Sequence, residues 1–149
     1  LYEIVLKAQL AVQRTACRGV TMNDLNDCCW NSINQDLEKF FKSAGGKLKL
    51  RYKGRPHGVS HLMGEQEHDG DPFRNYLTEP MREGWLISNE PGIYGSFRIR
   101  INGRLYDEEI GIRIEDNLLI TKTGCKNLSR SIPKTVRQIE KIMSTKLDK

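Results

Sequence analysis

The 149-residue sequence predicts a single α+β domain with an antiparallel sheet and helices packed on one face. Two helical patterns come first, several strand-like patterns follow, and one helical pattern ends the chain; this order favours α+β over an alternating parallel architecture. Hydrophobic residues make up 38% of the chain and charged residues 29%, which excludes a disordered or fibrous class. No uninterrupted apolar run approaches the roughly 18 residues of a membrane-spanning helix, so no membrane contact is expected.

The two N-terminal helical patterns are amphipathic. Apolar residues recur every three to four positions over about residues 2–17, and Gly19 then breaks the pattern. A second, longer pattern covers about residues 22–42. Thr21 and Asp24 have the spacing of a weak capping box at its start, in which each side chain bonds the other residue's backbone amide. We predict that the apolar faces of both helices lie in the core.

The middle of the sequence is predicted to be mostly strand. Residues 85–89 form a short candidate, and residues 97–101 alternate apolar and polar side chains with the period of a strand. Asn102-Gly103 follows, and this pair is a strong hairpin signal because both residues tolerate positive φ. Residues 104–106 would return from the turn. Residues 110–121 are rich in β-branched side chains and predict a long strand.

A third helix is predicted near the C-terminus. Ser131 is its expected cap, and Pro133 suits the first turn, where a missing N–H costs nothing. Its apolar face would comprise Ile132, Val136, Ile139 and Met143.

The net charge of +5 is spread along the chain, and residues 47–55 form its densest basic stretch. Lys and Arg alternate there with Leu, Tyr and Gly, as in a strand with one basic face. Such a face is typical of a solvated edge strand, where Lys discourages pairing with another chain. A surface that follows nucleic-acid phosphates is the alternative, but nucleic acid is not the expected partner.

The four cysteines, Cys17, Cys28, Cys29 and Cys125, include no CxxC pair, so a thiolate zinc site is not expected. Cys28 and Cys29 fall within the second helical pattern, where they would be small core residues. We interpret all four as reduced thiols of a cytosolic protein, which predicts a cytoplasmic location.

All three histidines of the chain fall within twelve positions, with carboxylates nearby. A lone histidine is most often structural. Three in one short segment, His57, His61 and His68, indicate a metal site or an acid–base site.

Two strand segments add charged groups. Glu90 ends a candidate strand just before Pro91, where the backbone must turn. Arg113 and Glu115 share one face of a strand whose other face is isoleucine. Imidazole and carboxylate together suit zinc, manganese, iron or cobalt. A solvated, salt-bridged sheet face is the alternative for Arg113 and Glu115, and spacing does not decide between the two.

Three ordered motifs carry a family resemblance: HGVSHLMGEQEHD at residues 57–69, GWLISNEPGIY at 84–94 and GIRIEDNLLIT at 111–121. With them, and with LYEIVLKAQLA at the start, the chain resembles the catalytic domain of the aminopeptidase P and prolidase group, the pita-bread metallopeptidases. The resemblance implies a partial pita-bread fold, with a curved antiparallel sheet and helices on one face. Residues 1–149 would form the C-terminal portion of that catalytic domain.

The resemblance implies a dinuclear metal site that hydrolyses the Xaa-Pro bond at peptide N-termini. Two Mn²⁺ ions are the expected cofactors, with Zn²⁺, Co²⁺ or Fe²⁺ as alternatives, and a hydroxide that bridges them would attack the carbonyl. His61, Glu90 and Glu115 match three of the five metal ligands. A proline-containing peptide is the implied substrate, and the chain could form a homo-oligomer.

The resemblance also implies roles around the metals. His57 and His68 match histidines that contact the substrate and stabilise developing charge, and Tyr94 matches the tyrosine that follows the first glutamate ligand. Arg113 matches the arginine that orients the bridging glutamate. Glu90 matches the group that moves a proton to the leaving proline nitrogen.

Two aspartate ligands of the family have no match in this chain, because they precede the helix that its first residues resemble. Asp24, Asp27 and Asp36 fall in a helical pattern, while Asp69 and Asp71 fall in a predicted loop, so none is expected to replace them. We therefore expect an active parent protein and little or no activity in this chain alone.

A non-catalytic pita-bread module that binds protein or nucleic acid is the alternative function. The positive charge is compatible with it, but a pure binder has no need of the full set of histidines and carboxylates. Since the closest resemblance is to bacterial and mitochondrial Xaa-Pro aminopeptidases, a mitochondrial location is the alternative to the cytoplasm.

Overall fold

The computed structural model describes residues 1–44, 47–50 and 55–145. Helix α1 spans Tyr2–Thr15 and helix α2 spans Met22–Ser43, close to the predicted bounds. The capping box at the start of α2 is confirmed: Thr21 Oγ1 accepts from the Asp24 amide at 3.1 Å, and Asp24 Oδ2 accepts from the Thr21 amide at 2.9 Å. These bonds satisfy amides that the first helical turn leaves without partners.

Within the described residues, six strands form two antiparallel sheets. Strands β1 (Lys47–Leu50), β3 (Gly92–Ile101) and β4 (Arg104–Arg113) are ordered β1-β3-β4. Strands β2 (Leu86–Asn89), β5 (Asp116–Ile120) and β6 (Cys125–Asn127) are ordered β2-β5-β6. The edge position of β1 confirms part of the predicted basic edge strand, and residues 51–54 of that stretch lie outside the described residues. The predicted α+β class is confirmed.

The hairpin between β3 and β4 follows the prediction. Asn102 and Gly103 both have positive φ, 49° and 81°, as the tight turn requires. Ile99 is buried on the predicted apolar face and Phe97 is half-buried, but Ile101 is 39% exposed because the hairpin extends past the core.

The predicted continuous strand over residues 110–121 is wrong. The chain leaves one sheet at Arg113 and enters the other at Asp116. The reason lies in the strands that pair with this segment, because β2 ends at Asn89 and β3 begins at Gly92. Pro91 lies between them and has no N–H to donate to a neighbouring strand. Ile114 N donates to the carbonyl of that proline at 3.3 Å, so the two sheets remain joined at the break.

The predicted Ser131 cap is also wrong. Helix α3 spans Val136–Ser144, and Thr135 caps it through a capping box with Gln138. Thr135 Oγ1 accepts from the amide of Gln138, the third residue of the helix, at 3.3 Å. Ser131 lies four residues before Thr135, too early in the chain for its hydroxyl to reach this amide. No residue of α3 is buried, and its apolar face is exposed at Val136, Ile142 and Met143.

The core lies between the α1–α2 pair and the sheet that contains β2 and β5. Both predicted apolar helix faces are buried there, which confirms their assignment. The fully buried apolar side chains include Val5, Val12, Met22, Leu25, Ile87, Leu118 and Ile120. Burial of each such side chain contributes about 1.5–3 kcal/mol to folding, and this layer supports the strand ends that carry Glu90 and Asp116.

Candidate active site

A cavity of about 650 Å³ collects most of the predicted site residues. Its lining contains all three histidines of the chain, His57, His61 and His68, together with Glu90 and Arg113. These residues come from an irregular segment, a loop, the end of β2 and the end of β4, so the fold brings together groups up to 56 positions apart in sequence.

Strand β2 holds the irregular segment that carries His57 and His61. His61 N donates to Ser88 Oγ at 2.9 Å, and Ser88 N donates back to His61 O at 3.0 Å. Glu90 N donates to Val59 O at 2.9 Å. The segment thus follows β2 as an added strand would, which fixes His61 beside Glu90.

Backbone carbonyls orient two of the imidazoles. His57 Nδ1 lies 2.8 Å from Gly58 O, and His61 Nδ1 lies 3.0 Å from Leu62 O. Because a carbonyl oxygen only accepts, each Nδ1 carries a hydrogen and Nε2 is left to face another group. The Tyr94 hydroxyl lies 3.4 Å from Nε2 of His57.

Glu90 is buried and lies against three polar side chains. Its Oε1 is 3.1 Å from Nε2 of His61 and accepts from Ser88 Oγ at 3.2 Å. Its Oε2 is 3.6 Å from an Nη of Arg113. The carboxylate therefore joins the histidine segment to the end of β4.

Aromatic contacts fix the remaining rings. The ring of His57 lies between Trp30 and Tyr94, with centroid distances of 5.8 Å to each. The ring of His68 lies 4.2 Å from that of His61, tilted by 36°. His57 and His68 therefore line the same cavity and are held by contacts with different rings.

Glu115 lies apart from this cluster. It occupies the break between β4 and β5, is exposed, and does not line the cavity. The predicted alternation is observed, because Ile110, Ile112 and Ile114 point to the packed side while Arg113 and Glu115 are exposed. Arg113 reaches Glu90 from this exposed side, whereas Glu115 does not line the cavity with it.

Two aspartates in the loop after His68 also line the cavity. Asp69 Oδ2 accepts from the Glu65 amide at 3.2 Å, and Asp71 Oδ1 accepts from the Phe73 amide at 2.9 Å. Their carboxylates are used to hold the loop.

Two residues of α2 belong to the site although no motif in the sequence identified them. Asn26 lines the cavity and binds the Val59 amide, and Trp30 contacts the ring of His57. Asn26 lies one turn from Met22 and from Trp30 on the apolar face of the helix. An asparagine on such a face needs a hydrogen-bond partner when buried, and that was the available signal.

Two side chains at the site are of the types that bind a divalent transition metal. His61 Nε2 and Glu90 Oε1 are an imidazole and a carboxylate 3.1 Å apart, as metal ligands of this class are. Within residues 1–44 and 55–145, no three His, Cys, Asp or Glu side chains are clustered to hold a metal ion. The residues thus fit two ligands of a metal site and not a complete one.

None of the helices among the described residues has the length and apolar composition to cross a membrane.

Comparison with known proteins places the chain in a family. Residues 1–122 match the model of metallopeptidase family M24. An Xaa-Pro aminopeptidase from Haemophilus influenzae is 32% identical over 149 residues, which cover 97% of this chain and 34% of that protein. The mitochondrial intermediate cleaving peptidase 55 of Arabidopsis thaliana is 30% identical over 147 residues, which cover 97% of this chain and 28% of that protein.

The crystal structure of Icp55 from Saccharomyces cerevisiae superposes with a TM-score of 0.74 at 25% identity, covering 98% of this chain and 36% of that chain. This chain spans 28% to 38% of the length of the relatives that it matches first. These matches confirm the resemblance drawn from the three motifs. The chain therefore belongs to metallopeptidase family M24.

Proposed function

We propose that this chain forms part of the catalytic domain of a metal-dependent aminopeptidase that hydrolyses the Xaa-Pro bond at peptide N-termini. One observation carries the proposal: three imidazoles, a buried glutamate and an arginine line a single cavity of about 650 Å³. The name of the Haemophilus relative, an Xaa-Pro aminopeptidase, supports the substrate class.

His61, Glu90 and Glu115 would hold the metal, with Mn²⁺ preferred and Zn²⁺, Co²⁺ or Fe²⁺ as alternatives. When bound, a divalent metal supplies polarisation of the scissile carbonyl and activation of the attacking water. His61 and Glu90 already lie side by side. Glu115 does not line the cavity, so a complete metal site would need further ligands.

Two histidines of the cavity would act on the substrate directly. His57 and His68 would contact the peptide, and His68 would donate a hydrogen bond to developing charge. The Tyr94 hydroxyl, 3.4 Å from Nε2 of His57, would hold that ring. Arg113 orients the Glu90 carboxylate from 3.6 Å. Glu90 would carry a proton on Oε1 to the leaving proline nitrogen.

We expect the enzyme to act in the cytoplasm on proline-containing peptides, with no membrane or nucleic-acid partner. The mitochondrion is the alternative compartment, since the Arabidopsis relative is named as mitochondrial. A homo-oligomer is compatible with the proposal.

Activity on matched peptides tests the proposal. The natural protein that contains this chain should cleave an Xaa-Pro tripeptide in the presence of Mn²⁺, and should leave the matched Xaa-Ala tripeptide largely intact. Loss of a group that hydrogen-bonds a metal ligand costs about 10- to 100-fold. His61 is itself a proposed ligand, so His61→Ala should lower kcat/KM by more than about 100-fold. The exposed Asn31 on α2 provides the control, and Asn31→Ala should keep wild-type kinetics. Absence of cleavage with Mn²⁺ present would favour the non-catalytic binding module, whereas cleavage that is equal without Mn²⁺ or unaffected by His61→Ala would contradict the proposed metal site.

Calorimetric titration of this chain with Mn²⁺ tests the ligand set. We expect weak binding of one ion or none, because the described residues bring His61 and Glu90 side by side without a third ligand. His61→Ala is the matched variant and should remove any such binding. Tight binding of two ions would contradict the expectation that His61 and Glu90 form an incomplete set of metal ligands, and would imply further ligands elsewhere in the chain.

A further inference from the structure

Helix α2 also contacts the histidine segment. Whereas β2 binds the segment at His61 and Val59, α2 binds its backbone through the side chain of Asn26, since Val59 N donates to Asn26 Oδ1 at 2.8 Å. Val59 lies midway between His57 and His61. This bond therefore acts on the backbone that directs both rings.

The amide of Asn26 is itself fixed. Its Nδ2 donates to Met22 O one turn earlier in the same helix, at 3.1 Å, so Oδ1 is the atom that faces Val59. The residue is only 5% exposed, and both ends of the amide have partners. Asparagine is a poor residue for a helix interior, because its side chain competes for backbone hydrogen bonds. Its place on the apolar face is thus explained by the bond to Val59.

Two further contacts tie the same part of α2 to this segment. Trp30, one turn after Asn26, presents its ring edge-on to His57 at 5.8 Å between centroids. Asp27 pairs with Arg55, two residues before His57. Backbone, ring and flanking charge are therefore all held by a single turn of the helix.

We propose that Asn26 is a positioning residue of the site, which fixes the backbone at Val59 and thereby directs His57 and His61 into the cavity. Its polar atoms are used within the protein, so it acts through the histidines and not on the substrate. The proposal rests on the proposed function only for its kinetic consequence, since the placement of the rings is a property of the fold.

Hydrogen exchange on the full chain tests the proposal without any peptidase assay. In Asn26→Leu, which has similar size and no acceptor, the Val59 amide should exchange about 10-fold faster or more than in the wild type, as expected for a lost buried hydrogen bond. The amides of Ile87 and Leu118 in the core strands should keep wild-type rates. Asn31→Leu, exposed on the same helix, should leave Val59 unchanged.

The imidazole nitrogens provide a second readout. In the wild type, ¹⁵N spectra should show a hydrogen on Nδ1 of His57, which faces the Gly58 carbonyl, and Asn26→Leu should mix this tautomer with the Nε2 form. If Asn26→Leu fails to fold, Asn26→Ala removes the same bond with a smaller side chain and is read in the same way. Unchanged Val59 exchange and unchanged tautomers in a folded variant would overturn the proposal. Faster exchange at every amide would also overturn it, because the role would then be general stability.

Kinetics separate this proposal from the proposed function. If the protein is a peptidase, Asn26→Leu should lower kcat more than it changes KM, whereas Asn31→Leu should change neither. If no peptidase activity is found in the wild type, the exchange and tautomer results still decide the role of Asn26.

Discussion

Cys28 and Cys29 are adjacent in α2 but lie in different surroundings. Cys28 is half-buried, with its sulfur 3.5 Å from Thr15 Oγ1, whereas Cys29 is completely buried. Burial, with a smaller effect from the neighbouring Cys28, raises the pKa of the Cys29 thiol to about 12 from its ordinary value of 9.0. Cys29 is therefore a neutral core side chain, as the sequence pattern predicted.

This raised pKa predicts a loss of stability at alkaline pH. The unfolded chain releases the Cys29 proton near pH 9 and the folded chain only near pH 12, so the contribution is full below pH 9 and is lost as the pH rises towards 12. One such group lowers the free energy of unfolding by at most about 1.4 kcal/mol per pH unit. Urea denaturation at pH 8 and pH 10 should show a smaller decrease in Cys29→Ala than in the wild type. Equal decreases in the two proteins would contradict the prediction.

The sequence predicted the part of the candidate site whose residues lie close together in the chain. His57, His61 and His68 lie within twelve positions, so their convergence needs little tertiary information. The approach of Glu90 to His61 depends on the pairing of an irregular segment with β2, which spacing does not reveal. Asn26 was missed because its partner is a backbone amide 33 positions away.

At the scale of elements, patterns with local causes were predicted well. The capping box of α2 and the positive-φ hairpin turn are determined by residues within four positions of one another. The break at Ile114 was missed because residues 110–121 have strand-like side chains throughout, and its cause is a proline between the two neighbouring strands β2 and β3. The cap of α3 was misplaced because Ser131 and Thr135 both suit an N-cap, and only the position of Gln138 separates them.

Removal of the two capping boxes should lower the free energy of unfolding by different amounts. Helix α2 carries eight buried residues and α3 carries none. Fraying of α2 therefore exposes core, whereas fraying of α3 exposes little that was buried. Thr21→Ala should lower the free energy of unfolding by about 1 kcal/mol, and Thr135→Ala should lower it by clearly less. Urea denaturation of both variants measures the difference, and an equal cost would show that α3 contributes to the core after all.

At the scale of the whole molecule, one buried ion pair joins the C-terminal segment to the sheet. Lys134 Nζ lies 2.6 and 2.7 Å from the two carboxylate oxygens of Asp116, which is 1% exposed. Asn127 Nδ2 donates to the same carboxylate at 2.7 Å. Asp116 is paired in register with Asn89, so the ion pair lies one residue behind both Glu90 and Glu115.

This arrangement connects the fold to the site. The backbones of the two glutamates emerge from adjacent, paired positions, and the network behind them prevents the strand ends from separating. Asn89 extends the connection to α1, because its Nδ2 donates to Gln9 O at 3.0 Å. The first helix, the sheet and the C-terminal segment are thus joined at the point where both carboxylates leave the sheet.

Removal of Lys134 should therefore be costly. Lys134→Met leaves the buried Asp116 carboxylate without its cation, and loss of one partner of a buried pair costs about 3–5 kcal/mol. The double variant Asp116→Asn with Lys134→Met should recover much of this loss, because no unpaired charge remains buried. Lys7, which pairs with Asp36 at 2.5 Å and is 63% exposed, provides the matched control, and Lys7→Met should cost less than about 1 kcal/mol. Urea denaturation at pH 7 measures all three. A cost for Lys134→Met no greater than that for Lys7→Met would mean that the C-terminal segment does not brace the strand ends that carry Glu90 and Glu115.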